Sequence, residues 1–228
     1  MVTTYHVFDV DGTITHPRKP MDEDFIEKFY SFCKKHKVIL VSGSDYNMII
    51  EQIPEKILDI VKLYTCGGID GISFDVEYEI EDPRLIDRLE LFLNTSVYAH
   101  KTGKHINYRK GMINFSIVGR NATDELRIDY SKFDAMFNER KEITETLRKE
   151  FPDYDVCIGG EISIDITKKG MNKSLVAKDL LTLSKKPFII FYANQILDGN
   201  DYPLAKFIQE NNIGYSVQIN YEDLKNII

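Results

Sequence analysis

The chain has 228 residues, 43% of them hydrophobic and 29% charged, with a formal net charge of −7. That is enough apolar material for one large α/β domain or two modest ones, and it excludes global disorder. The acidic balance argues against a dedicated nucleic-acid binder.

The first segment alternates strand and helix patterns. Residues 5–10 are an apolar run that predicts a buried strand. Met21, Phe25, Phe29, Phe32 and Cys33 recur at helical spacing over 21–36. "KVILVSGSD" reads as a second buried strand ending in small polar residues. A helix is expected from Tyr46 to Ile53, stopped by Pro54. "LYTCGG" reads as a short third strand, and Asp70–Gly71 between apolar residues suggests a hairpin.

From about 80 to 167 the pattern becomes α+β. A helix at 83–93 precedes "KHINYRKGMINFSIV", two alternating strands turning at Lys110–Gly111. A long helix over 131–151 carries mixed charges, the signature of a solvated face. "DVCIGG" and "EISIDIT" form another strand pair. After Gly170 the α/β rhythm returns: helix 171–183, strand "PFIIFYA", helix 203–212, strand "YSVQI" and a short final helix. The expected organisation is a parallel-sheet core in two pieces, 1–79 and 169–228, with an α+β module inserted at 80–168.

Cys33, Cys66 and Cys157 have neither the number nor the spacing of a disulfide framework or a zinc site. No apolar run approaches membrane-spanning length, and no leader pattern precedes the first strand, so a cytosolic location with no membrane partner is expected. Sequons starting at Asn94, Asn121 and Asn172 are read as chance.

In open parallel sheets ligands sit beyond the carboxyl ends of the strands. Asp9 and Asp11 follow the first strand, Ser42, Ser44 and Asp45 the second, and Asp198 and Asp201 the "FIIFYA" strand. Acidic groups converging there repel one another unless a cation joins them, and hard oxygens with retained waters suit Mg²⁺. A carboxylate beside such a cation can attack phosphorus. A second carboxylate two residues on can move the proton, and Lys173 can neutralise phosphoryl charge. The plain alternative for Asp-x-Asp after a strand is a turn or helix cap.

"FDVDGT" at Phe8–Thr13 resembles the first motif of the haloacid dehalogenase (HAD) superfamily of phosphotransferases. With "FDVDGTITHPRK", "RKGMINFSIVGRNATDELR", "GGEISIDI" and "DGND" in order, nearly the whole chain is similar to the eukaryotic-type phosphomannomutases. The resemblance implies an α/β, HAD-type Rossmann-like core with an inserted α+β cap. It implies Asp9 as nucleophile and Mg²⁺ ligand, and Asp11 as general acid/base with its carbonyl on the metal. Lys173 and Asp201 would complete the core site. Arg18 would lie near the substrate, with Ser42 and Ser44 available to phosphate. Arg109, Arg120, Arg127, Ser163 and Asp165 would hold the sugar and the phosphate not being transferred. Arginine's planar fork pairs bidentately with phosphate oxygens, although surface strands also carry Arg for solubility. The implied ligands are hexose phosphates and a hexose bisphosphate, the implied context is GDP-mannose biosynthesis, and a homodimer through the cap is expected.

The chain departs from that pattern at Tyr192 and Ala193, where the family has Gly-Asp. Alanine cannot ligate a metal, Asp198 is a candidate substitute, and the Tyr192 ring is expected where backbone normally approaches the site. Three readings follow: a mannose 6-phosphate/mannose 1-phosphate mutase, a sugar-phosphate phosphatase, and a catalytically impaired sugar-phosphate binder.

Overall fold

The apolar run at the start of the chain becomes β1 (Thr3–Asp9), the middle strand of a five-stranded parallel sheet. The computed structural model describes residues 2–194 and 199–228. After β1 come α1 (Glu23–Lys35), β2 (Lys37–Val41), α2 (Tyr46–Ile50), α3 (Glu55–Leu58) and β3 (Lys62–Tyr64). The chain then runs through α4 (Pro83–Thr95), β4 (Ile106–Arg109), β5 (Met112–Phe115), α5 (Asp124–Phe137), α6 (Glu139–Glu150), β6 (Tyr154–Gly159) and β7 (Ser163–Lys168). It closes with α7 (Ser174–Leu183), β8 (Pro187–Ala193), α8 (Tyr202–Glu210), β9 (Gly214–Gln218) and α9 (Tyr221–Ile227). Two compact units result, Met1–Val76 with Met171–Ile228, and Glu77–Gly170.

In the first unit the strand order is β3-β2-β1-β8-β9. Alternation along buried strands sends successive side chains to opposite faces. Phe8, Val10 and Leu40 pack against Phe25, Phe29 and Cys33 of α1 and Tyr221 and Leu224 of α9. Val7, Val41, Phe191 and Ala193 pack on the other face against Val176 and Leu180 of α7 and Leu204 and Ile208 of α8. Helices therefore cover both faces, the arrangement that near-continuous apolar strands require. Asp179 of α7 is fully buried. It accepts from Lys62 Nζ at 2.6 Å, Tyr64 Oη at 2.5 Å and Ser73 N at 2.9 Å, and from the Ser73 hydroxyl. Burial alone would raise its pKa, but these donors hold it below the usual carboxylate range.

The second unit is a four-stranded antiparallel sheet, β4-β5-β7-β6. Ile113, Phe115, Val156, Ile164 and Ile166 form one core with Leu85 and Leu89 of α4, Tyr130 of α5, and Ile143 and Leu147 of α6. The charged stretch expected as one helix over 131–151 is two. Asn138 takes φ 56° and breaks the run, while Asp134 accepts from the Arg140 backbone N at 2.7 Å and its Nε at 2.8 Å. A left-handed Asn is a common helix stop. The hairpin expected at Asp70–Gly71 is instead a tight loop: Thr65 and Asp70 exchange backbone bonds around a 3-10 turn at Cys66–Gly68. Among the described residues no helix is long and apolar enough to cross a membrane.

Candidate active site

β1 is flanked by β2 on one side and β8 on the other, so the order of connection reverses there, the place where open parallel sheets form a crevice beyond their carboxyl ends. Asp9 is the last residue of β1. Its carboxylate is buried and bonds Lys173 Nζ at 2.6 Å, while Thr13 Oγ1 donates to its other oxygen at 3.2 Å. The same Lys173 ammonium bonds Asp201 Oδ1 at 2.6 Å, and the Lys173 and Asp201 side chains are each 1% exposed. Lys173 immediately precedes α7, and Asp201 immediately precedes α8. Three residues distant in sequence thus meet in a buried cluster, two carboxyl groups about one ammonium.

The electrostatics follow from that arrangement. Burial, then the Asp201 carboxylate, pushes Asp9 up to about 7, against the attraction of Lys173. Burial alone would lower Lys173, but Asp201 and Asp9 raise it above its ordinary value, so it stays charged. The donors are hard oxygens, the ligand type that hard divalent cations take. Among the described residues no cluster of three or more His, Cys, Asp or Glu side chains is placed to ligate a metal. Asp198 lies outside the described residues. Ala193 is fully buried among the side chains facing α7 and α8.

Asp11 lies just beyond Asp9 and has both oxygens oriented. Arg18 N donates to Oδ1 at 2.8 Å and Ser44 Oγ to Oδ2 at 3.2 Å. Ser42 Oγ accepts from Ser44 N at 3.0 Å, which fixes the turn after β2. Arg18 is exposed and held at φ 59°. The loop needs glycine at position 12: its φ is 85°, and a Cβ there would lie 2.2 Å from the Asn194 amide nitrogen. The structure therefore brings together Asp9, Asp11, Lys173, Asp201, Ser44 and the Arg18 backbone. The Tyr192 ring does not enter this cluster. It is paired in register with Phe8 and stacks on it at 4.5 Å, with its hydroxyl 3.3 Å from His6 Nδ1. The expected crowding is corrected by strand alternation, which sends Tyr192 to the α1 face.

In the second unit the register places Arg109, Asn114, Ser163 and Asp165 on the sheet face opposite the helix-covered core. Asp165 accepts from Asn114 Nδ2 at 2.7 Å, and Gly159 is what admits its carboxylate, since a Cβ there would lie 2.5 Å from Oδ2. Ser163 donates to Gly159 O at 2.7 Å. Arg127, in the first turns of α5, is buried and donates to Glu161 Oε2 at 2.9 Å, in the turn joining β6 and β7. Arg120 is half-buried, and its backbone bonds Lys104 O at 2.9 Å. Sequence reasoning missed Asn114 and Glu161. The polar Asn114 inside the apolar run "MINF" was the available signal for the first.

A parallel sheet with helices on both faces, an aspartate-lysine-aspartate cluster beyond its central strand and an inserted antiparallel unit define a HAD-type phosphotransferase architecture. Solved structures agree on the fold. IMP-bound Plasmodium falciparum IMP-nucleotidase aligns over 98% of this chain and 66% of that one, with TM-score 0.62 and 14% identity. Thermoplasma acidophilum 0175 aligns over 100% of this chain and 97% of that one, with TM-score 0.55 and 16% identity. The family described as eukaryotic phosphomannomutase matches residues 79–228. The phosphomannomutase of Saccharomyces cerevisiae is 30% identical over 229 residues, spanning 94% of this chain and 89% of that protein. Phosphomannomutase 2 of Dictyostelium discoideum is 29% identical over 89% of this chain and 86% of its own length. The chain belongs to the eukaryotic phosphomannomutase family, a family of phosphotransferring enzymes.

Proposed function

We propose that this chain interconverts mannose 6-phosphate and mannose 1-phosphate through a bound hexose bisphosphate, with Asp9 as the phosphoryl carrier. The buried Asp9–Lys173–Asp201 cluster at the end of the central strand is the observation that carries this reading. A mutase needs a reaction centre and a second phosphate site, and Arg109, Arg120, Arg127, Ser163 and Asp165 supply candidates for the latter. The family relationship supports the substrate class.

The donor set fits Mg²⁺, which keeps several waters and takes one or two carboxylates with substrate phosphate. Asp9 and Asp201 would hold it, with the Asp11 carbonyl and Asp198 as further donors. When bound, it supplies positive charge against the repulsion between Asp9 and phosphate. An Asp9 oxygen attacks phosphorus of the bisphosphate, the new P–O bond forms as the bond to the sugar oxygen breaks, and Asp11 gives that oxygen its proton. In the second half, Asp11 takes the proton of a monophosphate hydroxyl, whose oxygen attacks phosphorus and frees Asp9. The contacts from Ser44 and Arg18 N aim the Asp11 carboxyl for both transfers. Lys173 stays charged and balances the phosphoryl group on Asp9.

Purified protein with mannose 1-phosphate, a bisphosphate activator and Mg²⁺ should yield mannose 6-phosphate. Ala193, which brings no carboxylate to the end of β8, favours a second reading, a catalytically impaired sugar-phosphate binder. Binding without turnover selects that binder; inorganic phosphate as the sole product selects a sugar-phosphate phosphatase. Exposed Ile128, Met136 and Phe137 on α5 support a homodimer through this unit, measurable by light scattering.

A further inference from the structure

Glu161 has no role in the reading above, yet it pairs with Arg127, one of the candidate phosphate ligands. Arg127 has a side chain only 9% exposed, while Glu161 is 45% exposed. Glu161 sits in a turn held from behind. Arg140 Nη1 donates to Gly160 O at 3.0 Å and to Ser163 O at 3.4 Å, and Asp134 orients Arg140 through a 2.8 Å bond to Nε. Ser163 Oγ closes the same turn on Gly159 O at 2.7 Å. The carboxylate therefore faces the guanidinium from a fixed backbone but on a solvent-accessible side chain.

We propose that Glu161 is a resident, displaceable counter-ion for Arg127, and that it sets how tightly the second unit takes a phosphate. This rests on the reading of Arg127 as a phosphate ligand. A phosphate dianion reaching Arg127 meets a carboxylate on one arm of the fork, and two anions that close repel. Glu161 must swing outward, which its exposure permits. The cost of moving Glu161 aside is the same for every ligand that needs the fork, so Glu161 lowers affinity for all such anions by one factor, and only ligands that gain enough elsewhere, as a phosphate ester on a sugar can, still bind well.

The test is calorimetric titration of the full chain with mannose 6-phosphate and, separately, inorganic phosphate, for wild type, Glu161→Gln, Arg127→Gln and the double variant. Glu161→Gln should tighten both ligands by a similar factor, about fivefold, the size of an exposed charge interaction. Arg127→Gln, which removes the cation, should weaken both. In the double variant the gain from Glu161→Gln should largely vanish, since it acts through that guanidinium. If Arg127→Gln leaves affinity unchanged, the phosphate-site reading itself fails. If Arg127→Gln weakens binding but Glu161→Gln has no effect, or helps equally in both backgrounds, the counter-ion role is wrong.

Discussion

Replacing Asp9 with asparagine separates what this residue costs the fold from what it does. In the folded chain its proton affinity rises from the ordinary carboxylate value of 3.8 to about 7. That is roughly a thousandfold, or about 4 kcal/mol. The folded state binds the proton more tightly than the unfolded chain, so below about pH 4, with both states protonated, the carboxyl carries no penalty. Between about pH 4 and 7 the wild type should lose stability to Asp9, and above 7 the loss is complete. Asparagine does not titrate. Urea unfolding in EDTA at several pH values across that window should show the two proteins diverging, with Asp9→Asn gaining up to about 4 kcal/mol relative to wild type by neutral pH. The slope of the difference matters more than its absolute size, because the amide also alters the bond to Lys173. Saturating Mg²⁺, at about a hundred times its Kd, should restore about 2.7 kcal/mol to wild type and less to the variant. Parallel pH curves would refute the electrostatic account of the cluster. Asp9→Asn should also abolish turnover.

Asp179→Asn should cost about 2–3 kcal/mol in chemical denaturation, because Lys62, Tyr64 and Ser73 all donate to that carboxylate. Its depressed pKa stabilises the fold above the unfolded carboxylate value and the benefit is lost as pH falls through the folded one, so the variant should show a shallower acid limb. An identical acid limb would count against this. Gly12→Ala should cost about 1–2 kcal/mol and at least tenfold in turnover, since the φ of 85° and the Asn194 contact both oppose a Cβ beside Asp11. Wild-type kinetics in that variant would show the loop is not held as described. Tyr192→Ala should lower stability by about 2 kcal/mol through lost packing on Phe8 yet leave kcat within about twofold. A large fall in kcat with intact folding would return the ring to the reaction centre.

Much of this protein is determined locally. Apolar runs such as Val38–Val41 are buried on both sides wherever they go, so a helix-covered parallel sheet follows from the alternation of such runs with helical spacing. The "DVDGT" turn likewise carries its own geometry, because only glycine tolerates the backbone at position 12. Pairings across long sequence separations are different in kind. Nothing in the neighbourhood of Lys173 says that its ammonium bridges Asp9 and Asp201; that needs β1, α7 and α8 to converge on one end of one sheet. The break at Asn138 hides in a continuous run of charge because its cause is a tertiary clamp from Asp134 to Arg140 and on to the turn at Gly160. Tyr192 shows the same limit: its identity suggests crowding, and only its register against Phe8 decides which face receives the ring. Composition and period settle which side chains are buried, whereas the partner of each buried charge depends on distances that only the folded chain creates.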